Sequence, residues 1–223
     1  MFNFAEHHQI VIDILKQSFY HIFRMRIESS PSEMAGFFIL TGTNMAEKQI
    51  KSRKRVQEHA EVFTAEREVN AMLDLVNDEL LRPESTFLEP ACGEGNFTVK
   101  ILERKLTAIL SKNPTAKEYY RLSLIALSGI YAIELLPDNV QIARKRMAET
   151  FRNFALSVNS EMPEGYFYTA LEIIRLNFVN GNTLTGMTPD EKPIKFTEWE
   201  ISEDNKIYGK EFEYNALVNG TLF

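Results

Sequence analysis

The sequence predicts an α/β protein with a short parallel sheet and a C-terminal β-hairpin. Three observations carry that reading. Apolar runs suited to strands alternate with segments whose apolar residues recur at helical spacing. The stretch FLEPACGEGNF (87–97) breaks from a strand into one proline and two glycines, then enters an amphipathic helix. The tail KPIKFTEWEISEDNKIYGKEFEY alternates apolar and polar residues about a Glu-Asp-Asn turn.

Bulk properties bound the rest. The 223 residues suffice for one domain with a full core, or for one domain and an appendage. A net charge of -6 argues against a basic surface that coats nucleic acid, but allows a local basic patch. The single cysteine, Cys92, cannot form an intrachain disulfide, so a reducing, cytoplasmic setting is expected. No run approaches the roughly 18 apolar residues of a membrane span, and the N-terminus lacks the pattern of a signal peptide.

In chain order, Ile12, Leu15, Phe19, Ile22 and Phe23 predict a helix over residues 4–24. His7, His8 and His21 lie in it, but adjacent histidines do not share a helical face, so no metal site is expected. Residues 28–45 read as a linker. A first segment, 1–46, and a second domain, 47–223, follow from this division. Lys48, Lys51, Arg53, Lys54 and Arg55 then form a basic run, either a solvated helix face or a patch for DNA phosphates.

Val69, Met72, Leu73, Val76 and Leu80 predict a helix ended by Arg82-Pro83. Strand TFLEP, the glycine turn and a helix to about Leu110 come next, followed by a helix over 116–127. The near-continuous apolar run GIYAIEL (129–135) predicts a strand buried on both faces, with Glu134 near its end. Pro137 starts a helix striped by Val140, Ala143, Met147 and Phe151. Another helix ends near Leu176, and NFVNGNTL (177–184) is a third short strand running into a turn. Strands separated by helices pair in parallel through right-handed crossovers.

Ligands of open parallel sheets bind beyond the carboxyl ends of the strands. Glycines there admit close approach, and the next helix start offers N–H donors. Glu134 can accept from the hydroxyls of a ribose, and Asn182 can meet a purine. The phosphate-loop pattern GxxxxGK[ST] and the dinucleotide fingerprint GxGxxG are both absent.

EVFTA (61–65), FLEPACGEGNF, IYAIELLPDNVQIARKRM and NFVNGNTL together resemble the S-adenosylmethionine-binding motifs of adenine-N6 DNA methyltransferases, in their usual order. The resemblance covers about residues 55–186 and implies a Rossmann-like methyltransferase fold in a DNA-methylation, restriction-modification setting. By that resemblance, Phe63 and Thr64 lie against the methionine end of the cofactor. Glu89, Ala91, Gly93 and Gly95 line its methionine and sugar, Glu134 holds the ribose hydroxyls, Leu135 packs on adenine, and Asn182 meets the adenine amino group.

The chain departs from the family pattern in three places. The threonine-proline pair is Thr64-Ala65, and the aspartate of the third-strand turn is Asn182, a weaker acceptor. No Pro-Pro dipeptide occurs, so the Pro-Pro-aromatic motif that holds the flipped base is missing. An exocyclic amine is a poor nucleophile, and binding that draws its nitrogen toward tetrahedral geometry is a large part of the catalysis. The sheet is also reduced, with three strands and a hairpin where the family has about seven.

Catalytic residues are therefore unassigned. Asn180, Asn182, Glu198 and Trp199 are the acceptor-site candidates, although Trp199 and Phe196 also suit core or edge packing. The competing readings are an active methyltransferase, a catalytically inactive cofactor- or DNA-binding subunit or decoy, and a remnant with an empty pocket. A half-sheet leaves an edge that a second copy or a partner subunit would cover.

Overall fold

The computed structural model of the chain describes residues 64–203 and 206–218. The chain divides into two compact units, 1–68 and 69–223, and only the last five residues of the first are described. The helix expected over 4–24, the linker, the basic run from Lys48 to Arg55, and Phe63 lie outside the described residues.

The described elements are α1 (Glu66–Asp74), α2 (Asn77–Leu80), β1 (Phe87–Glu89), α3 (Asn96–Ser111), α4 (Ala116–Ser128) and β2 (Ile130–Glu134). They continue with α5 (Pro137–Val158), α6 (Tyr166–Asn177), β3 (Phe178–Asn180), β4 (Lys195–Ile201), β5 (Ile207–Glu213) and α7 (Tyr214–Val218). The mixed α/β architecture and the three-stranded parallel sheet agree with the sequence reading. The sheet order is β1-β2-β3, with Leu88 opposite Tyr131 and Ile133 opposite Val179. The tail forms the expected antiparallel hairpin, in which Phe196 opposes Phe212.

Local chemistry explains most boundaries. Thr115 and Glu118 form a reciprocal capping box that starts α4. Pro137 occupies the first turn of α5, where a missing N–H costs nothing. The helix expected to run unbroken to Leu80 is instead two. The N–H groups of Leu75 and Val76 turn back to Met72 and Leu73, tightening the chain before α2 begins.

All five residues of β2 are buried, as its apolar run predicts. Successive side chains of a strand point to opposite faces. Tyr131 and Ile133 face Phe196, Ile194 and Tyr214 of the hairpin region, with Leu88 and Val179 beside them. Both crossovers advance the sheet in one direction, from β1 through β2 to β3. The crossover helices α3 and α5 pack on each other and on β2. Asn177, fully buried, ties the hairpin down. Its amide donates to the Ser128 carbonyl at 3.1 Å, and its oxygen accepts from the Thr197 N–H at 3.1 Å.

Lys105 is the one charged residue among the buried positions of α3. Its ammonium donates to the carbonyls of Ser85 and Ala126 and lies 5.3 Å from the centre of the Phe87 ring. Ala126 belongs to the last turn of α4, whose carbonyls carry the negative end of the helix dipole. Burial pushes the Lys105 ammonium down to about 7. Gly129 stands beside it because a Cβ there would come within 2.8 Å of the Ser85 carbonyl.

Phe196 is the anchor between hairpin and sheet, 1% exposed and 5.1 Å from the Tyr131 ring. Phe196→Ala is expected to cost roughly 3–5 kcal/mol in chemical denaturation. A loss below about 1 kcal/mol would mean that the hairpin does not depend on this contact.

Candidate functional site

The carboxyl ends of β1, β2 and β3 are joined by polar contacts that centre on Glu134. Its carboxylate accepts from the Gly93 N–H at 2.8 Å and from the Leu136 N–H at 2.9 Å. One oxygen therefore holds the turn after β1, and the other holds the entry into α5. Each oxygen keeps acceptor capacity for a further donor. From the third strand, the Asn180 amide donates to the backbone carbonyls of Glu134 at 2.8 Å and Leu135 at 2.9 Å. The Thr183 hydroxyl, beyond β3, donates to the Pro90 carbonyl beyond β1.

The turn after β1 needs its glycines. Gly93 and Gly95 have φ of 54° and 85°, in the left-handed region that L side chains rarely adopt. Gly95 also caps α3 where the helix approaches α5. A Cβ there would lie 3.0 Å from Thr98 Oγ1 and 3.2 Å from Ala143 Cβ. Arg146 of α5 braces the same turn, donating to the Glu94 carbonyl and to Asn96 Oδ1, each at 2.7 Å.

Glu89 ends β1 with 5% of its surface exposed, and Glu134 is 8% exposed. Among the described residues, Glu89 accepts one hydrogen bond, from the Ala91 N–H at 3.2 Å. Burial raises its carboxyl to about 7, the Ala91 donor opposes the rise, and the nearby charge of Glu134 adds to it. Burial also holds the Cys92 thiol well above its usual value, with Glu134 and Glu89 reinforcing the effect.

The structure thus brings Glu89, Ala91, Gly93, Gly95 and Glu134 to one end of the sheet, with Leu135 half-exposed at the end of β2. Asn182 is in the turn after β3, but its side-chain oxygen accepts from the Leu184 N–H at 2.9 Å within that turn. Leu184 is 74% exposed at the same end. Thr64 falls in the first unit, apart from this description.

Among the acceptor-site candidates, Asn180 spends its amide donors on the backbone ties. Trp199 lies on β4 across from Gly209, and its buried indole nitrogen has no partner among the described residues. That placement suits packing rather than stacking on a base. Glu198 lies opposite Lys210 on the hairpin. Sequence reasoning missed Asn180 as the connector, Arg146 as the brace, and Thr183. Each acts over 45 or more residues of separation, which local patterns do not register.

Among the described residues, no group of three or more His, Cys, Asp or Glu is arranged to hold a metal ion, and no helix is long and apolar enough to cross a membrane. A cleft of about 420 Å³ lies elsewhere, between α1, α2 and α3. Arg104 within it is committed to Asp74 at 2.7 Å and to Asn70.

Glu89 generates a pH prediction. It holds its proton up to about 7 in the native state, against 4.5 when unperturbed. Its contribution to stability is thus complete below 4.5 and is lost as the pH rises through 7. The loss is of order 3 kcal/mol. Urea unfolding of the wild type and Glu89→Gln should show the variant gaining about that much, relative to wild type, between about pH 4 and about pH 8. A pH-independent difference would contradict the buried carboxyl. Comparison of the chain with family models, with curated proteins and with solved structures returns no match, so a functional reading rests on the residues themselves.

Proposed function

We propose that the chain binds S-adenosylmethionine at the carboxyl ends of β1, β2 and β3, on a Rossmann-like methyltransferase fold with a reduced sheet. The observation that carries this reading is Glu134, a carboxylate at the end of a fully buried strand, fixed by the N–H of a glycine turn and retaining acceptor capacity. That arrangement fits a ribose diol, whose two hydroxyls need acceptors. The left-handed glycines leave room for a ligand to approach the backbone of the turn. The buried pair Glu89 and Glu134 suits the positive charge of the methionine end. Leu135 offers an exposed apolar surface for the adenine ring.

When bound, S-adenosylmethionine supplies an electrophilic methyl group on its sulfonium. The residues of this chain bind and orient it. In-line transfer also needs a site that positions the acceptor nitrogen. The resemblance to adenine-N6 DNA methyltransferases makes DNA the acceptor class, with Lys48, Lys51, Arg53, Lys54 and Arg55 as phosphate contacts, in a cytoplasmic restriction-modification setting.

A second reading has its own support. The chain has no Pro-Pro dipeptide, and the amide of Asn180 is already committed to backbone. These favour a cofactor- or DNA-binding subunit without turnover, with the acceptor site supplied by a partner subunit or a second copy.

Calorimetric titration tests the shared premise. S-adenosylmethionine should bind with micromolar affinity, and Glu134→Ala should weaken it by at least about 1.5 kcal/mol, near tenfold. Glu134→Gln, which keeps one acceptor oxygen and the side-chain shape, should fall between. No heat from folded wild-type protein, or equal binding by all three, would overturn the reading. Methyl transfer to DNA, assayed next, separates enzyme from inactive subunit.

A further inference from the structure

Two carboxyl groups are buried side by side at the ends of β1 and β2, and among the described residues neither makes an ion pair with a cationic side chain. They are not equivalent. Glu134 accepts two backbone N–H bonds, whereas Glu89 accepts one, through Oε1, and its Oε2 receives none among the described residues. Two adjacent like charges out of water cannot both be held without compensation, and backbone donors favour the ionised form of the group they contact. Glu89, with the fewer donors, is therefore the group of the pair that carries a proton.

Among the described residues, the charged surroundings offer no other neutralisation. Facing Glu89 are Glu134 on β2 and the Cys92 thiol in its own turn, which burial keeps protonated. Arg144 of α5 acts on Cys92 but donates to the carbonyls of Phe178 and Arg175. Arg146 donates to Glu94 and Asn96 of the turn.

We propose that Glu89 makes the strand-end site proton-coupled: entry of a cationic group displaces the Glu89 proton, so a cationic ligand binds more tightly as the pH rises toward neutrality. The inference rests on the reading of this site as an S-adenosylmethionine pocket. The exchange is balanced. The O–H bond of Glu89 breaks, the carboxylate keeps the electron pair and faces the cation, and the proton passes to solvent. The buried charge of the site is the same before and after. A neutral nucleoside has no cation to exchange and leaves the proton in place.

The test is calorimetry of the full chain with S-adenosylmethionine, and with adenosine as the neutral probe, in two buffers of different ionisation enthalpy. Below neutrality, S-adenosylmethionine should release close to one proton per site, and its affinity should rise up to roughly tenfold per pH unit between about pH 5 and pH 7. Adenosine should release none. Glu89→Gln should bind S-adenosylmethionine with no proton release and a flat pH profile. Binding of S-adenosylmethionine by the wild type without proton release, or release that persists in Glu89→Gln, overturns the proton coupling and leaves the cofactor pocket standing. No binding across this range by folded protein overturns both.

Discussion

The arrangement of the sheet end depends on one carboxylate. Glu134 ties the turn after β1 to the start of α5, and the Asn180 amide adds β3 through the backbone of the same residue. A three-stranded parallel sheet has few ladder bonds, and β1 and β3 are only three residues each. Side-chain ties must supply what a longer ladder would. Charge-assisted bonds to backbone N–H groups are the stronger kind, and here they are withdrawn from bulk water. On the proposed reading, the same oxygens that order the loops would be offered to a ligand, so structure and recognition would share a group.

The opposite end of the strands is organised by a cation. Lys105 gathers the Ser85 carbonyl before β1 and the Ala126 carbonyl at the end of α4, beneath the Phe87 ring. Acceptors with no local partner are thus satisfied by one ammonium, at the cost of its burial. Between these polar ends the core is apolar, from Phe151 and Met147 through Ile130 and Ala132, all of them fully buried. Asn177 then fastens the hairpin to α4 from the last turn of α6. The strands are thus pinned by polar ties at both ends.

Much of this was legible in the sequence, for physical reasons. A strand buried on both faces must be apolar throughout, and β2 is. A turn that needs left-handed backbone needs glycine, and Gly93 and Gly95 have it. Proline at a first helical turn and alternation about a polar turn marked α5 and the hairpin. The rest was hidden because it depends on distance in space. Lys105 sits at a position that charge alone would assign to solvent. Asn180 and Asn182 are near neighbours of one type, and only the third dimension shows which side chain bridges strands and which closes its own turn. The inequality of Glu89 and Glu134 comes from counting backbone donors. The break between α1 and α2 falls within an unbroken helical stripe, so periodicity could not mark it.

The central claim is that Glu134 holds the glycine turn and receives the ligand in the same place. Amide NMR of the full chain, titrated with S-adenosylmethionine, tests it most directly. The predicted result is saturable shifts at the amides of Ala91, Gly93, Gly95, Leu135 and Leu136, with those around Lys105 unmoved. Shifts confined to the cleft beside Arg104, or none anywhere at saturating ligand, would contradict the account.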